Sequence, residues 1–350
     1  MSKSYIKLGE LASYINGYAF KPKDRGSEGL PIIRIQDLTG SSNDKGFYKG
    51  TYPSKIEINN GDVLISWSAS LGVYVWNNGK ALLNQHIFKV VFDKGEIDKD
   101  YFVYAVQFSL HRMRQLTHGA TMKHVVKKDF ENVLIPYPSL KDQRKVAHVL
   151  DKSKESINKK MDELTKLDEL IKARFVEMFG DPVQNSLNKP MVKLESLGNW
   201  KSGGTPARSN PNFYNGNINW FSAGELNSLY LSKSKEKITE EAVQKSSTKL
   251  FAKGSMLIGM YDTAAFKMGI LKESSCANQA CANIKVNEKV NVVWLYYELQ
   301  AMKEYFLNQR HGVRQKNLTL KMIKKFEIPI FDLNLQNKFA NFVQQVDKSK

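Results

Sequence analysis

With 350 residues, 42% of them hydrophobic, the chain is long enough to form two ordinary hydrophobic cores and is not a disordered tail. Its 52 Lys and Arg residues outnumber 35 Asp and Glu residues, and the formal net charge of +17 indicates a polyanionic partner, most commonly nucleic acid. The sequence contains no apolar run long enough for a secretory signal or a membrane span, so we predict a cytoplasmic protein without a membrane partner.

In the first part of the chain, short apolar runs alternate with Gly, Asn and Asp, which is the pattern of strands joined by turns. We predict strands at residues 30–35, 63–67, 73–76 and 87–92. Apolar residues then recur every three or four positions over residues 100–116, which predicts a helix. An Ile-Pro step at Ile135 closes the region, because proline can neither donate a hydrogen bond to a sheet nor continue a helix. These elements predict a domain of mixed α and β structure.

Residues 141–179 contain no Gly or Pro and are dense in Lys, Asp and Glu, which predicts one long helix that ends at Gly180. At 1.5 Å per residue the helix would be about 58 Å long and could hold two DNA-reading domains up to about 17 base pairs apart. Five apolar residues fall seven positions apart along it: Leu150, Ile157, Leu164, Ile171 and Met178. A solvated linker helix is one interpretation; we favour a helix that buries this row against a coiled-coil partner.

The second half of the chain repeats the first. Many pairs of identical residues lie 193 positions apart, among them Gly61 and Gly254, Tyr104 and Tyr297, His118 and His311, Lys123 and Lys316, and Ile135 and Ile328. A helical pattern at residues 292–309 corresponds to the one at residues 100–116. A constant offset is what duplication of a domain leaves, and repeats this long are domains rather than the short units of a solenoid. We therefore predict an α+β chain, in which two pseudo-repeated mixed α/β domains are joined by the long helix.

Two basic loops occupy equivalent places in the repeats, "HGATMKHVVKK" at residues 118–128 and "HGVRQKNLTLK" at residues 311–321. Both combine Lys or Arg with His, Gln or Asn, which are side chains that contact DNA phosphates and base edges. A solvated helix end is the alternative, since cations are favoured there in any case. The candidate DNA-binding residues in these loops are Lys123, His124, Lys127, Lys128, Arg314, Gln315, Lys316 and Asn317.

A third candidate segment is "KSGGTPARSNPNFYNGNINW" at residues 201–220, which is rich in Gly, Asn and aromatic residues. Paired glycines allow backbone N–H groups to approach a phosphate closely. A structural turn is the alternative, because the first repeat has Gly17 in the place of Gly203 but no second glycine. The candidate DNA-binding residues in this segment are Gly203, Gly204, Thr205 and Arg208.

The sequence contains no motif for catalysis. It has no Walker A loop, no Gly-rich turn for a methyl donor or a dinucleotide, no nucleophile elbow and no histidine spacing typical of a metal site. Cys276 and Cys281 lack the further ligands of a zinc site, so we predict that they are packed thiols. We therefore predict a chain that is not an enzyme and that has no metal site.

In this order, the repeated domain, the motif "IP-x-P-x-L-x-x-Q" at residues 135–143 and the helix ending in "FVEMFGDP" at residues 175–182 resemble the specificity subunit of type I restriction–modification systems. "NGYAF" with "GLPIIRIQDL", and "SGGTP" with "NINWFSAGEL", are similar to the openings of that family's two target-recognition domains. The resemblance covers essentially the whole chain. It implies target-recognition domains at residues 1–140 and 181–333, a central spacer helix at residues 141–180 and the start of a distal spacer helix at residues 334–350.

The resemblance also implies a division of labour between subunits. Each target-recognition domain would read one half of a two-part DNA sequence, and the spacer helices would set the spacing and dock methyltransferase subunits. Those subunits would carry S-adenosylmethionine and methylate N6 of an adenine that is flipped out of the duplex. A restriction and motor subunit would use ATP and Mg. This chain itself would then carry no cofactor.

The chain departs from the family pattern in its distal helix, which is much shorter than the central one. The row from Ile157 to Met178 would then lack its full partner within the chain. This implies a truncated or recombined chain, self-association through the central helix, or docking of partner subunits on the row. Two other function classes remain open, namely a restriction–methylation fusion enzyme with its own active site and a non-specific basic scaffold protein.

Overall fold

A computed structural model of the chain describes residues 5–68, 70–115, 125–309 and 317–350. Within these ranges the chain divides between Lys159 and Lys160 into two compact units. Each unit contains its own large cluster of buried apolar side chains, as the length and composition of the chain predict.

The first unit combines short strands with a few helices. Its strands are β1 (Tyr5–Lys7), β2 (Ser13–Asn16), β3 (Leu30–Ile33), β4 (Gly46–Tyr48), β5 (Glu57–Ile58), β6 (Val63–Ser66), β7 (Gly72–Val75), β8 (Ala81–Leu83), β9 (Ile87–Val91) and β10 (Leu134–Pro136). Its helices are α1 (Leu8–Leu11), α2 (Ile35–Thr39), α3 (Lys99–Gln115), α4 (Lys127–Glu131) and the first half of α5 (Leu140–Phe179).

The second unit begins with the other half of α5. Its strands are β11 (Met191–Lys193), β12 (Gly198–Ser202), β13 (Tyr214–Phe221), β14 (Tyr230–Leu231), β15 (Glu236–Ile238), β16 (Met256–Gly259), β17 (Met268–Leu271), β18 (Cys276–Ala277), β19 (Cys281–Val286) and β20 (Glu327–Pro329). Its further helices are α6 (Glu240–Lys245), α7 (Val292–Ala301), α8 (Lys303–Leu307), α9 (Leu320–Lys325) and α10 (Leu333–Ser349).

The two units share one sheet topology. The larger sheet has the order β2-β9-β6-β7 in the first unit and β12-β19-β16-β17-β14 in the second. The smaller sheet contains β4-β3-β8, with β5 beyond β8, in the first unit and β15-β13-β18 in the second, and the pairs β3–β8 and β13–β18 are both parallel. This common topology and the helix α5 that joins the units confirm the predicted α+β fold with an internal duplication.

Each unit is closed by pairing between its first and last strands. In the first unit Ile6 of β1 lies opposite Ile135 of β10, and in the second Val192 of β11 lies opposite Ile328 of β20. Both isoleucines of the Ile-Pro steps are fully buried. The repeated Ile-Pro step is therefore the short strand by which each unit ends, immediately before a helix begins.

Two of the predicted elements differ from the structure by more than one residue. The predicted strand at residues 30–35 stops at Ile33, because the Asp37 side chain accepts a hydrogen bond from the Arg34 N–H at 2.8 Å and starts α2. The single helix predicted at residues 292–309 is interrupted at Met302 and forms α7 and α8. The interruption places the Phe306 ring on that of Phe326, with 4.3 Å between the ring centres.

The long central helix was predicted within one residue of its observed bounds, and it ends where the sequence indicates. Gly180 adopts a left-handed conformation with φ of +71°, and its N–H donates to the Val176 carbonyl at 2.8 Å. In the last turns of α5, Phe175 packs edge-on against Phe339 of α10, with 5.3 Å between the ring centres. The distal helix thus covers the end of the central one within the second unit.

The heptad row on α5 is covered over part of its length only. Ile171 is fully buried in the core of the second unit and Met178 is half-buried there, so the row has a partner within the chain at these two positions. The other three members of the row remain exposed, with exposed fractions of 38% at Leu150, 60% at Ile157 and 40% at Leu164. The part of this heptad row that remains open to a helix partner is therefore the stretch from Leu150 to Leu164.

Both cysteines are free and buried. Burial raises the pKa of the Cys276 thiol to about 12 and that of Cys281 to about 12. Because the thiolate is the reactive form, these side chains are packed thiols, as predicted.

A buried glutamine joins the start of a helix to the preceding domain in each unit. Gln143 accepts a hydrogen bond from the Asp98 N–H at 2.9 Å and donates to the Pro138 carbonyl at 2.9 Å. Gln336, which lies 193 positions later, accepts from the Asn291 N–H at 2.8 Å and donates to the Phe331 carbonyl at 2.8 Å. The glutamine of the motif after the Ile-Pro step therefore fixes α5 or α10 to its domain.

We predict that Gln336→Ala lowers the free energy of unfolding by about 2–4 kcal/mol, because it leaves a buried N–H and a buried carbonyl without partners. Urea unfolding followed by circular dichroism measures this change. The matched control is Gln345→Ala on the exposed face of α10, for which we expect a change within about 0.5 kcal/mol. Equal effects of the two substitutions would contradict the anchoring role of Gln336.

Glu298 in α7 is fully buried, and within the described part of the chain neither of its carboxylate oxygens has a hydrogen-bond partner. Burial raises the pKa of Glu298 to about 8 from 4.5. Between these two values the folded state holds a proton that the unfolded state has lost. The contribution of Glu298 to stability is therefore complete below pH 4.5 and is lost as the pH rises towards 8.

We predict that Glu298→Gln becomes progressively more stable than the natural chain as the pH rises from 5 to 8, by about 1 kcal/mol per pH unit. The gain arises because the amide cannot ionise, whereas the buried carboxylate must. Unfolding in urea at several pH values measures the difference. A difference that stays constant over this range would show that Glu298 does not titrate with a raised pKa.

Candidate nucleic-acid interface

Only part of the predicted basic loops can be placed. Five of the predicted DNA-binding residues lie outside the described residues: Lys123, His124, Arg314, Gln315 and Lys316. Lys128 is exposed and Asn317 is half-buried. Lys127 donates a hydrogen bond from Nζ to the Tyr14 carbonyl at 2.8 Å, so this lysine has a structural partner. DNA contact by the eight loop residues stays a prediction.

The chain leaves both loops at equivalent, buried positions. In the first unit the Val125 N–H donates to the Trp67 carbonyl at 3.0 Å, and in the second the Leu318 N–H donates to the Met260 carbonyl at 2.8 Å. Val125 and Leu318 are almost fully buried, each in the core of its own unit. These contacts confirm that the loops belong to corresponding places in the two repeats.

The two glycines of the third candidate segment are explained by close packing of the backbone. The Gly203 N–H donates to the Cys281 carbonyl at 2.9 Å, and the Gly204 N–H donates to the Ala277 carbonyl at 2.9 Å. A Cβ atom at Gly203 would lie 2.1 Å from the Asn278 carbonyl oxygen, and one at Gly204 would lie 2.5 Å from that of Ser247. Both N–H groups already donate to protein carbonyls, so neither is available as a donor to a phosphate. Phosphate binding at these two glycines stays a prediction.

The equivalent of Gly203 in the first unit has the same surroundings. The Gly17 N–H donates to the Ile87 carbonyl at 3.2 Å, and a Cβ atom at Gly17 would lie 2.2 Å from the Asn84 carbonyl oxygen. Glycine at this position is therefore required in both units for the close approach of two chain segments. Thr205, the next candidate residue, donates from Oγ1 to Oε1 of Gln279.

Arg208 is the candidate residue with the most developed surroundings. Its Nη1 lies 2.7 Å from Oε2 of Glu236 on β15, in a pair that raises the pKa of the arginine. The guanidinium carbon lies 4.6 Å from the ring centre of Tyr214 and 5.2 Å from that of Trp220, both on β13. The Trp220 indole N–H in turn donates to the Gly204 carbonyl at 3.0 Å. The glycine turn and the aromatic side chains thus hold the arginine in place.

Arg208 lines an open groove with a volume of about 470 Å³. The other lining residues are Tyr214, Asn215, Gly216, Lys235, Glu236 and Lys237. Three cations against one anion make the groove positive, and its arginine, asparagine and carboxylate can all address base edges. The pairing of β13 with β15 shifts register between Tyr214 and Ile218, and Asn215 adopts a φ of +61° in this bulge. Bulges of this kind redirect side chains near functional sites.

The first unit places an arginine–carboxylate pair at the corresponding strand. Gly46 on β4 lies opposite Ile32, as Glu236 on β15 lies opposite Trp220. The Arg25 side chain covers this glycine, since a Cβ atom at Gly46 would lie 2.5 Å from Arg25 Nε. Arg25 Nη2 lies 2.8 Å from Oδ2 of Asp44. Each unit therefore presents an arginine held by a carboxylate at the edge of its smaller sheet.

Sequence reasoning did not identify the carboxylate and the lysines of the groove. Lys235, Glu236 and Lys237 belong to "SKSKEKI" at residues 232–238, in which Lys alternates with other residues before a buried isoleucine. This alternation is a strand signal with a basic, exposed side, and it could have indicated the surface. The neighbours of Arg208 come from separate segments of the chain, which a single sequence does not bring together.

The described ranges contain neither a metal-binding cluster nor a membrane-spanning helix. No group of three His, Cys, Asp or Glu residues there could hold a metal ion. No helix of that part of the chain is both long and apolar enough to cross a membrane.

A model of the type I restriction modification DNA specificity domain matches the chain twice, over residues 3–166 and 188–350. The specificity subunit of the Escherichia coli type I restriction enzyme EcoBI is 21% identical, over 97% of this chain and 78% of that protein. The specificity subunit of the Methanocaldococcus jannaschii enzyme MjaVIII is 26% identical, over 98% of this chain and 85% of that protein.

Solved structures show the same fold. The S subunit of a type I restriction–modification system from M. genitalium has a TM-score of 0.63 at 16% identity, over 99% of this chain and 90% of that chain. A chain from a structure of a type I system, described in terms of complex assembly and conformational transition, has a TM-score of 0.56 at 17% identity, with coverage of 99% and 90%. At these identities the likeness is one of fold alone.

Proposed function

The chain belongs to the family of type I restriction–modification DNA specificity domains, and we propose that it is the DNA-binding specificity subunit of such a system. The observation that carries this proposal is the duplication, since two copies of one family domain form two units of one topology. Relatives that match nearly the whole chain are specificity subunits, which favours this function over a fusion enzyme or a non-specific scaffold.

Each unit reads one half of a two-part DNA sequence. In the second unit the groove around Arg208 supplies cations for phosphates and an arginine, an asparagine and a carboxylate for base edges. The basic loops that return at Val125 and Leu318 supply further cationic contacts. The pairing of first and last strands makes each reader a closed unit, and α5 sets the distance between the two half-sites.

The chemistry of the system belongs to other subunits. Methyltransferase subunits bind S-adenosylmethionine and modify the adenine, and a restriction and motor subunit uses ATP and Mg. This chain supplies the DNA address and the surfaces on which those subunits assemble. The location that fits this role is the cytoplasm, where the DNA and the partner subunits are available.

We predict that cells expressing the chain with a methyltransferase subunit of its system carry N6-methyladenine in a two-part sequence motif. Replacing residues 181–333 by the corresponding domain of a related specificity subunit should change one half of the motif and leave the other half intact. Sequencing that detects N6-methyladenine measures both outcomes. A single uninterrupted motif, or a swap that changes both halves, would contradict the assignment of one half-site to each unit.

The exposed row Leu150, Ile157 and Leu164 on α5 is a surface for a protein partner. Three apolar side chains on one heptad row favour pairing with another helix over exposure to water. The partner is a second copy of the chain or a methyltransferase subunit, and the two can be distinguished by experiment.

We predict that Ile157→Glu together with Leu164→Glu weakens association through this row, because each change places a charge in an apolar contact. Sedimentation velocity of the purified chain tests self-association, and copurification with the methyltransferase subunit tests docking. The control is Lys152→Glu with Lys159→Glu, two exposed positions on the same helix. A natural chain that is strictly monomeric would exclude self-association, and unchanged copurification would exclude docking through the row.

A further inference from the structure

The pair formed by Arg208 and Glu236 has a hydrogen-bonding pattern that matches one base pair. Arginine presents only N–H donors in a planar fork, and an ionised glutamate presents only acceptors. Their nearest atoms, Nη1 and Oε2, lie 2.7 Å apart, so a row of donors adjoins an acceptor on one surface. Both side chains are accessible, with exposed fractions of 57% and 46%.

In the major groove, a G·C pair presents the complementary row. Guanine offers the acceptors N7 and O6, and the cytosine amino group beside them offers a donor. An A·T pair instead places its amino donor between two acceptors, where it would face the arginine. A fixed arginine–glutamate pair therefore favours G·C over A·T on hydrogen-bonding grounds alone.

The surroundings of Arg208 hold the fork before DNA arrives. The guanidinium lies over the rings of Tyr214 and Trp220, and the bond to Glu236 uses one of its nitrogens. Trp220 is buried and is held by its hydrogen bond to the Gly204 carbonyl. A side chain that is ordered in advance loses less conformational entropy when it binds a base edge.

Another exposed ion pair of the same unit lacks these surroundings. Lys245 and Glu241, whose charged atoms lie 3.0 Å apart, are one turn apart on α6, which is the ordinary arrangement of a surface pair. Arg208 and Glu236 come from separate segments, and the two exposed lysines of the groove are the sequence neighbours of Glu236, Lys235 just before β15 and Lys237 on it. The recurrence of an arginine–carboxylate pair, Arg25 with Asp44, at the corresponding strand of the first unit fits a role in each repeat.

We propose that Arg208 and Glu236 together read a G·C base pair in the half-site bound by the second unit. Arg208 donates to guanine N7 and O6, and Glu236 accepts from the cytosine amino group. Lys235 and Lys237 on either side of Glu236 contact the neighbouring phosphates. This proposal rests on the proposed function and names residues that determine the specificity of the second unit.

The test is selection of DNA by the purified full-length chain from a library of random 40-base-pair duplexes, followed by sequencing. The natural chain should select a two-part consensus with a G·C pair in one half. Arg208→Lys keeps the positive charge but lacks the fork, and it should reduce the preference for that G·C pair by roughly tenfold to a hundredfold. Glu236→Gln, which adds an amide donor towards the cytosine amino group, should reduce the same preference. The remaining consensus positions should not change.

The matched control is Glu241→Gln, which removes the same charge from an ion pair of the same unit and should leave the consensus unchanged. Thermal unfolding of each variant verifies its fold. Equal weakening of binding to every duplex, or an unchanged consensus with Arg208→Lys, would overturn reading of a base by this pair while leaving the proposed function intact. If the natural chain selects no two-part consensus, the proposed function and this inference both fail.

Discussion

The fold of each unit depends on the way its two ends are tied together. The last strand pairs with the first, and a buried glutamine in the first turn of the next helix satisfies a backbone N–H of the domain and a carbonyl before the helix. Because an unpaired polar group in that position would cost free energy, Gln143 and Gln336 fix the direction in which α5 and α10 leave the sheets.

The candidate interface also depends on close contacts between backbone segments. Glycine at positions 203 and 204 allows two chain segments to approach within hydrogen-bonding distance, and the Gly204 carbonyl then holds the Trp220 indole. The guanidinium of Arg208 lies over the Trp220 ring. The close packing of the backbone at the two glycines therefore helps to position this charged side chain. The glycines thus act on the interface through Trp220, although their own N–H groups are occupied.

The duplication made much of the fold predictable. Residues such as Ile135 and Ile328 recur at a fixed offset because the same contact is formed twice. Residues 141–179 contain no Gly or Pro, and their apolar pattern is typical of a single helix. The Arg208 groove was less accessible, because Glu236 and Tyr214 reach the arginine through sheet pairing that no local pattern reveals. The split of the late helix at Met302 was missed for a similar reason, since the stacking of Phe306 on Phe326 is a tertiary contact.

Burial along the central helix separates two roles that its sequence pattern does not distinguish. Leu164 and Ile171 occupy the same heptad row, yet the first is 40% exposed and the second is fully buried in the core of the second unit. Ile171 therefore contributes to the stability of that unit, and a charge there would disrupt its core. Leu150, Ile157 and Leu164 are not needed for either core, so their apolar character requires another explanation, which contact with a protein partner supplies. A heptad repeat thus reports where apolar residues lie, and only the packing shows which of them remain available for binding.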